Sequence, residues 1–263
     1  MRKVVNRSVL TYHNGVIEHR EDPVVTEYPL TIFLNDEEFA TLVCTPEHLE
    51  SLTVGFLASE GVISSYADIK SVLVEENRGL AHVETHRVNA LSQNLHSKRY
   101  LTSCCGKSRQ SFYFYNDAKT AKKLTAVRVQ LTVQDCFALM QAMQGGADIF
   151  RETGGVHNAA LCDKSGIVLA RLDIGRHNAL DKIYGHCLQH DIPLDDKVIV
   201  FSGRVSSEVL LKAAKIGCEI VLSKSAPTEL ALDLADELGI TVVGFIRNRS
   251  LNVYTHAQRI LAE

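Results

Sequence analysis

Tryptophan is absent from this chain of 263 residues, and aromatic residues make up only 6% of it. Aliphatic side chains must therefore fill the core, and a hydrophobic content of 46% is ample for that. Proline occurs five times and glycine 16 times, too few for a collagen-like or low-complexity chain. No apolar run approaches the length of a membrane span, and the opening MRKVVNRSVLTYHNGVIEHRED has no signal-peptide hydrophobic region. No membrane partner is expected, and the expected location is the cytoplasm. An excess of one charge is also missing, since 28 Lys and Arg stand against 31 Asp and Glu, for a net charge of −3. That balance excludes a polybasic chain, and no nucleic-acid partner is expected. Neither the P-loop nor the dinucleotide-binding glycine fingerprint occurs, which removes the grounds for ATP hydrolysis or hydride transfer. No C-x-x-C pair occurs either, so no protein-ligated metal is expected.

What is present changes character along the chain. YPLTIFLNDEEFATLVCT, residues 28–45, alternates and turns at Asn35-Asp36, which predicts a β-hairpin. A helix should follow, with Thr45 as cap, Pro46 in its first position and Gly61 at its end. A second hairpin is predicted over 69–88, turning around Asn77 to Gly79. Residues 89–111 are polar and weakly periodic, a long connection of the kind that is usually functional or disordered. From residue 130 onward helices and short β-rich runs alternate, with Thr132 and Asp135 in capping-box spacing and helices closed by Gly217 and Gly239. The expected fold is α/β: a smaller β-rich α+β N-terminal region, residues 1–110, followed by a three-layer α/β domain, residues 111–263, on a mainly parallel sheet. The boundary falls between about 95 and 130.

Ligands of open α/β sheets bind beyond the carboxyl ends of the strands, so the loops there are the candidates. ETGGVHNA offers Gly154, Gly155 and His157. DIGRHNALDK offers Asp173, Gly175, Arg176, His177, Asp181 and Lys182 around a helix start, and FSGRVSSE offers Ser202, Gly203 and Arg204. SKSAP follows the next strand, and GFIRNRSLNVYTH carries Arg247 and Arg249. Together these glycine, arginine and histidine loops predict an anionic, phosphate-bearing ligand on a broad surface. His48, His82, His86, His186, His190 and His256 lack such a setting and are expected at the surface.

Seven cysteines form an odd set with no disulfide framework. Cys44, Cys136, Cys162, Cys187 and Cys218 lie in apolar segments and read as small core residues. Cys104 and Cys105, in TSCCGKSR, differ. Gly106, Lys107 and Arg109 give them the flexible, cationic setting that lowers a thiol pKa, so attack on a sulfur donor to form a persulfide is the chemistry they suit.

These stretches, with CTPEHLESLTVGFLASEGVI near the N-terminus, resemble the FdhD family over about residues 22–256. The resemblance implies a sulfurtransferase that accepts persulfide sulfur from a cysteine desulfurase. The sulfur then passes to the molybdenum bis(molybdopterin guanine dinucleotide) cofactor before its insertion into formate dehydrogenase. It also implies a cytidine-deaminase-like fold for the C-terminal domain, a homodimer, and guanine nucleotide as a mimic of the cargo. Many family members carry SCGxCG where this chain has TSCCGKSR. Ungapped alignment puts the persulfide cysteine on Cys105, leaves Ser108 at the second cysteine's position and makes Cys104 an extra partner. The family's cofactor-binding stretch falls on Phe245, Ile246, Arg247, Asn248, Arg249 and Ser250, and the cofactor loops above add Gly155, His157, Arg176, His177, Ser202, Gly203 and Arg204. Zinc-dependent deamination would share the fold, but His157 is followed by Asn158 and Ala159, and the required glutamate and P-C-x-x-C are missing. A cofactor chaperone without sulfur chemistry is the other alternative.

Overall fold

The computed structural model describes residues 1–86 and 123–262, together with the backbone of 99–101. Val4–His13 (β1) and Val16–Val25 (β2) form a two-stranded antiparallel ribbon turned by Asn14 and Gly15, both with positive φ. This ribbon precedes the sheet expected to start at residue 28. Tyr28–Leu34 (β3) and Glu37–Cys44 (β4) form the expected hairpin, with Asn35 and Asp36 in left-handed backbone replacing the usual glycine. Ile69–Glu75 (β5) and Leu80–Thr85 (β6) form the next hairpin, and Arg99–Leu101 (β7) pairs parallel to β4, giving the order β5-β6-β3-β4-β7. Helix α1 spans Leu49–Ser59. Thr45 does not cap it: the chain runs on to His48 at the N-cap, with φ 55, while Thr45 turns inward onto Asp173 and Lys182. A buried ion pair needs those contacts more than an exposed helix end needs a cap.

The second unit begins with Leu131–Thr132 (β8), Val133–Gly145 (α2) and Asp148–Thr153 (α3). Thr132 and Asp135 form the reciprocal capping box that their spacing predicts. His157–Asp163 (β9), Gly166–Asp173 (β10), Arg176–Gln189 (α4), Val198–Phe201 (β11), Ser207–Ile216 (α5) and Ile220–Ser223 (β12) follow. Glu229–Leu238 (α6), Thr241–Arg247 (β13), Ser250–Val253 (β14) and Ile260–Leu261 (β15) complete the described chain. The main sheet has the order β10-β9-β11-β12-β13-β14. Only β11, β12 and β13 are mutually parallel, so the sheet is mixed, where a mainly parallel one was expected. The links between β9 and β10 and between β13 and β14 are too short for a crossover, and hairpins close both edges.

Helices cover both faces of this sheet. Cys136, Leu139, Met140 and Met143 of α2 pack on Ala160, Cys162, Val198, Val200, Ile220, Leu222 and Val243. The opposite face, Ala159, Leu161, Ile199, Phe201, Val221 and Val242, packs with α4, α5 and α6. The same cluster continues into α1 and the inner face of the N-terminal sheet, through Leu52, Phe56, Leu57, Leu30, Ile32 and Leu42. The contact between α1 and α4 is made by glycines: a Cβ on Gly55 would overlap the Asp181 carbonyl, and one on Gly185 the Ser51 carbonyl. Buried polar ties reinforce it. Lys182 Nζ lies 2.7 Å from Asp173 Oδ2 and donates to Thr45 Oγ1 at 2.9 Å, all three residues being buried. Asp181 accepts from Ser59 Oγ at 2.6 Å and from Lys212 Nζ at 2.5 Å. The result is a mixed α/β fold with six α-helices among the described residues, none of them long and apolar enough to cross a membrane. The boundary expected near residue 110 falls outside the described residues.

Candidate functional site

Register, not sequence proximity, assembles the candidate loops. Because β9 runs antiparallel to both β10 and β11, His157 stands opposite Asp173 and two residues before the Ala159–Phe201 pair. The start of β9, the end of β10, the start of α4 and the carboxyl ends of β11, β12 and β13 thus share one edge of the sheet. Gly155, His157, Arg176, His177, Ser202, Gly203 and Arg204 lie there, and so do Phe245 to Ser250. From β9 to β13 are three strand intervals, so the site spans about 14 Å, the breadth of an extended ligand rather than a single phosphate.

Its interior is tightly built. Asn158 N donates to Ser202 Oγ at 3.0 Å and Ser202 N to Asn158 O at 3.0 Å, which fixes the loop after β11 to the start of β9. His157 stacks on the Phe201 ring at 6.5 Å. Gly203 permits this, since a Cβ there would come within 3.0 Å of the Phe201 ring and 3.3 Å of His157 Nδ1. Burial lowers the His157 pKa, with Arg176 and His177 acting in the same direction and Asp173 opposing, so this imidazole is neutral at pH 7. His177 Nε2 lies 3.0 Å from Glu208 Oε2 of α5, an ion-pair distance when the imidazole is protonated, and is buried without a hydrogen bond among the described residues. Arg176 Nε is likewise buried without a partner among the described residues.

The segment from Phe245 to Ser250 has an unusual backbone. Phe245, Asn248 and Arg249 all have positive φ, at 53°, 50° and 60°, and the β13–β14 register shifts between Gly244 and Arg247. Three non-glycine residues in the left-handed region within five positions amount to a strained turn of the kind found at ligand sites. It carries the Arg247 guanidinium over the Phe245 ring, 5.3 Å from the centroid, and leaves Arg247, Asn248, Arg249 and Ser250 exposed. Ile246 points the other way, its side chain buried in the α2 layer, so it can offer a ligand only backbone atoms. Arg204, Arg247 and Arg249 are exposed cations with no carboxylate partner among the described residues. The arrangement can hold a polyanion along the sheet edge.

Asp173, Asp181 and Lys182, grouped with these loops in the sequence, belong to buried ties: Asp173 and Lys182 join β10 and α4 to the chain after β4, and Asp181 joins α4 to α1 and α5. Asp173 Oδ1 accepts from Gly175 N and Asn178 Nδ2, and Oδ2 from Thr45, which leaves its carboxylate saturated. Ser223, Ser225 and Glu208 enter the site unannounced by the loop chemistry; SKSAP and FSGRVSSE contain them, but nothing in either stretch tells which serine points inward. Cys104 and Cys105 lie outside the described residues. The strand before them is described: Leu101 of β7 pairs with Leu42, and the next β4 residue, Val43, packs on Val156 and Ile174 beside Gly155 and Gly175. The other five thiols are buried, and desolvation raises their pKa, to about 12 for Cys136 and Cys162 and about 11 for Cys187.

Comparison with known proteins bears on what this edge is for. Residues 25–261 match the model of the FdhD/NarQ family. The chain belongs to the FdhD/NarQ family. Curated FdhD relatives named sulfur carrier protein FdhD include those of Bacillus subtilis, 57% identical over 255 residues, and Shouchella clausii, 54% identical over 256 residues. In both cases the alignment covers 97% of this chain and 96% of the relative. The Listeria innocua relative of the same name is 52% identical over 98% of each chain. In structure, the chain is similar to a crystal structure provisionally described as a formate dehydrogenase accessory protein from Desulfotalea psychrophila. The TM-score is 0.81 at 23% identity, covering 99% of this chain and 100% of that one, a likeness of fold.

Proposed function

We propose that the chain is a sulfur carrier acting as a sulfurtransferase for formate dehydrogenase. Cys105, with Cys104 beside it, accepts sulfur as a persulfide from a cysteine desulfurase and delivers it to the molybdenum bis(molybdopterin guanine dinucleotide) cofactor. The cofactor is cargo and substrate, held along the sheet edge before its insertion into formate dehydrogenase. The observation that carries this reading is the near-full-length similarity to relatives named sulfur carrier protein FdhD. Two features of the molecule support it. Five thiols are buried and held in their unreactive form, which leaves sulfur chemistry to Cys104 and Cys105. The loop cations, spread over several strands, suit a ligand with two pyrophosphates, and the Phe245 and Arg247 pair suits a nucleobase.

In this proposal Arg176, Arg204, Arg247 and Arg249 bind phosphates, Asn248 and Ser250 hydrogen-bond the nucleoside, and neutral His157 donates to or accepts from the ligand without adding charge. Gly155, Gly203, Ser202 and the Ile246 backbone allow close approach. A cytidine-deaminase-like layering of the second unit, a division near residue 110, a cytoplasmic setting and a homodimer belong to the same reading. The test is intact-mass analysis after incubation with a cysteine desulfurase and cysteine. Addition of one sulfur atom that persists in Cys104→Ala and disappears in Cys105→Ala is the expected result. No adduct on the wild-type chain would leave a cofactor chaperone without sulfur chemistry.

A further inference from the structure

The loops after β11 and β13 are joined through the segment between them, residues 223–228, which begins at the last residue of β12. Ser223, fully buried, donates from Oγ to Gly203 O at 2.8 Å and accepts from Ser225 N at 3.0 Å. Ser225 Oγ donates to Ser202 O at 3.2 Å, while Ser225 O accepts from Phe245 N at 3.2 Å. Lys224 N donates to Phe201 O at 3.2 Å, and Val205 N to Ala226 O at 3.2 Å. Gly244 closes the contact on the other side: a Cβ there would stand 3.1 Å from Ser225 O and 3.2 Å from Pro227 Cδ. Ser225 is therefore the residue whose side chain faces the Ser202–Arg204 loop and whose carbonyl faces the Phe245–Ser250 segment.

Resting on the cargo reading above, we infer that Ser225 is a positioning residue that couples the two halves of the cofactor site, with Ser223 as its buried support. The strained Phe245 backbone gives the coupling its use. A residue held at φ 53° keeps that conformation only when its surroundings over-determine it, and the bond from Phe245 N to Ser225 O is one of the constraints that do so. Loss of the Ser225 hydroxyl removes the one bond from this residue to the Ser202 carbonyl, while the bonds from Ser223, Lys224 and Ala226 remain, so the separation of Arg204 from Arg247 and Arg249 is loosened rather than released. A ligand that spans both halves then has to order them on binding.

The test uses the full chain, with guanosine diphosphate as the probe. Calorimetry and amide hydrogen exchange are compared for wild type, Ser225→Ala and Ser225→Thr. Ser225→Ala is expected to weaken binding by about three- to tenfold, the equivalent of one hydrogen bond. Exchange should accelerate at both 202–205 and 245–250 without ligand, and Ser225→Thr, which keeps the hydroxyl, should restore both properties. Unchanged affinity and exchange in Ser225→Ala would overturn the inference, as would a lower urea midpoint with unaltered affinity, which would make Ser225 a stability residue only. A Ser225→Thr chain no better than Ser225→Ala would remove the role of the hydroxyl. If the wild-type chain does not bind guanosine diphosphate, the cargo reading falls, while the exchange measurement still decides whether Ser225 couples the two loops.

Discussion

At the scale of single residues, charge and burial separate groups that look alike in the sequence. Arg247 and Lys182 both occur in glycine-bearing loop stretches, yet Arg247 is exposed and Lys182 is buried against Asp173. Arg247→Ala should weaken guanosine diphosphate binding about tenfold or more, the scale of a charge-assisted hydrogen bond, and leave persulfide formation intact; titration calorimetry with mass analysis reads both. The histidines divide in the same way. His186, expected at the surface, is half-buried, and its pKa is lowered to about 4 by desolvation, with Arg171, His190 and His48 adding to it. Above about pH 6.5, His186 is neutral folded and unfolded and contributes nothing to the pH dependence. As pH falls from there toward 4 the unfolded chain takes up the proton first, so stability declines through that window and the loss is complete below it. Thermal melts from pH 7 to pH 4 should show the decline, and His186→Gln should flatten it.

Helices and strands show which local rules survived assembly. The capping box of α2 formed because Thr132 and Asp135 meet each other within one turn and need nothing from elsewhere. The α5 cap is similar, with Ser206 Oγ accepting from Val209 N at 3.4 Å, and Ser206→Ala should cost about 1 kcal/mol in a urea titration. The cap expected for α1 failed because Thr45 has a distant partner in Asp173, which no local spacing reveals. The ribbon of β1 and β2 is the opposite case: Asn14-Gly15 between strand-forming runs is a local hairpin signal that needs no distant partner. Gly55 and Gly185 lie inside helices with no local signal of their role, yet they bring α1 and α4 into backbone contact. Gly55→Ala should destabilise the fold by about 3 kcal/mol or more, because the new methyl group meets a main-chain carbonyl that cannot move aside.

For the whole molecule, the buried pair Lys182 and Asp173 joins β4, β10 and α4, so the two sheets share one core. Lys182→Met leaves Asp173 without its cation and should cost about 3–5 kcal/mol, measured by urea unfolding; a change below about 1 kcal/mol would show that the ring of donors around Asp173 suffices. The sequence by itself determined the elements, the mixed composition and the loop chemistry. Periodicity, caps and turns are local, and a run such as KVIVFSG carries its strand and its following glycine within a few residues. It also determined the family, through long stretches preserved in order. Tertiary structure alone decided the strand order of the sheet, which strand ends come together, and which loop residues face a ligand. Asp173, Arg176 and Lys182 stand within ten positions of one another, yet the fold buries two as a structural pair and leaves the third in the site. The reason is physical: a side chain's neighbours across β-register and helix packing come from residues tens to more than a hundred positions away, and burial by those neighbours determines whether a charge is spent inside the core or kept for binding.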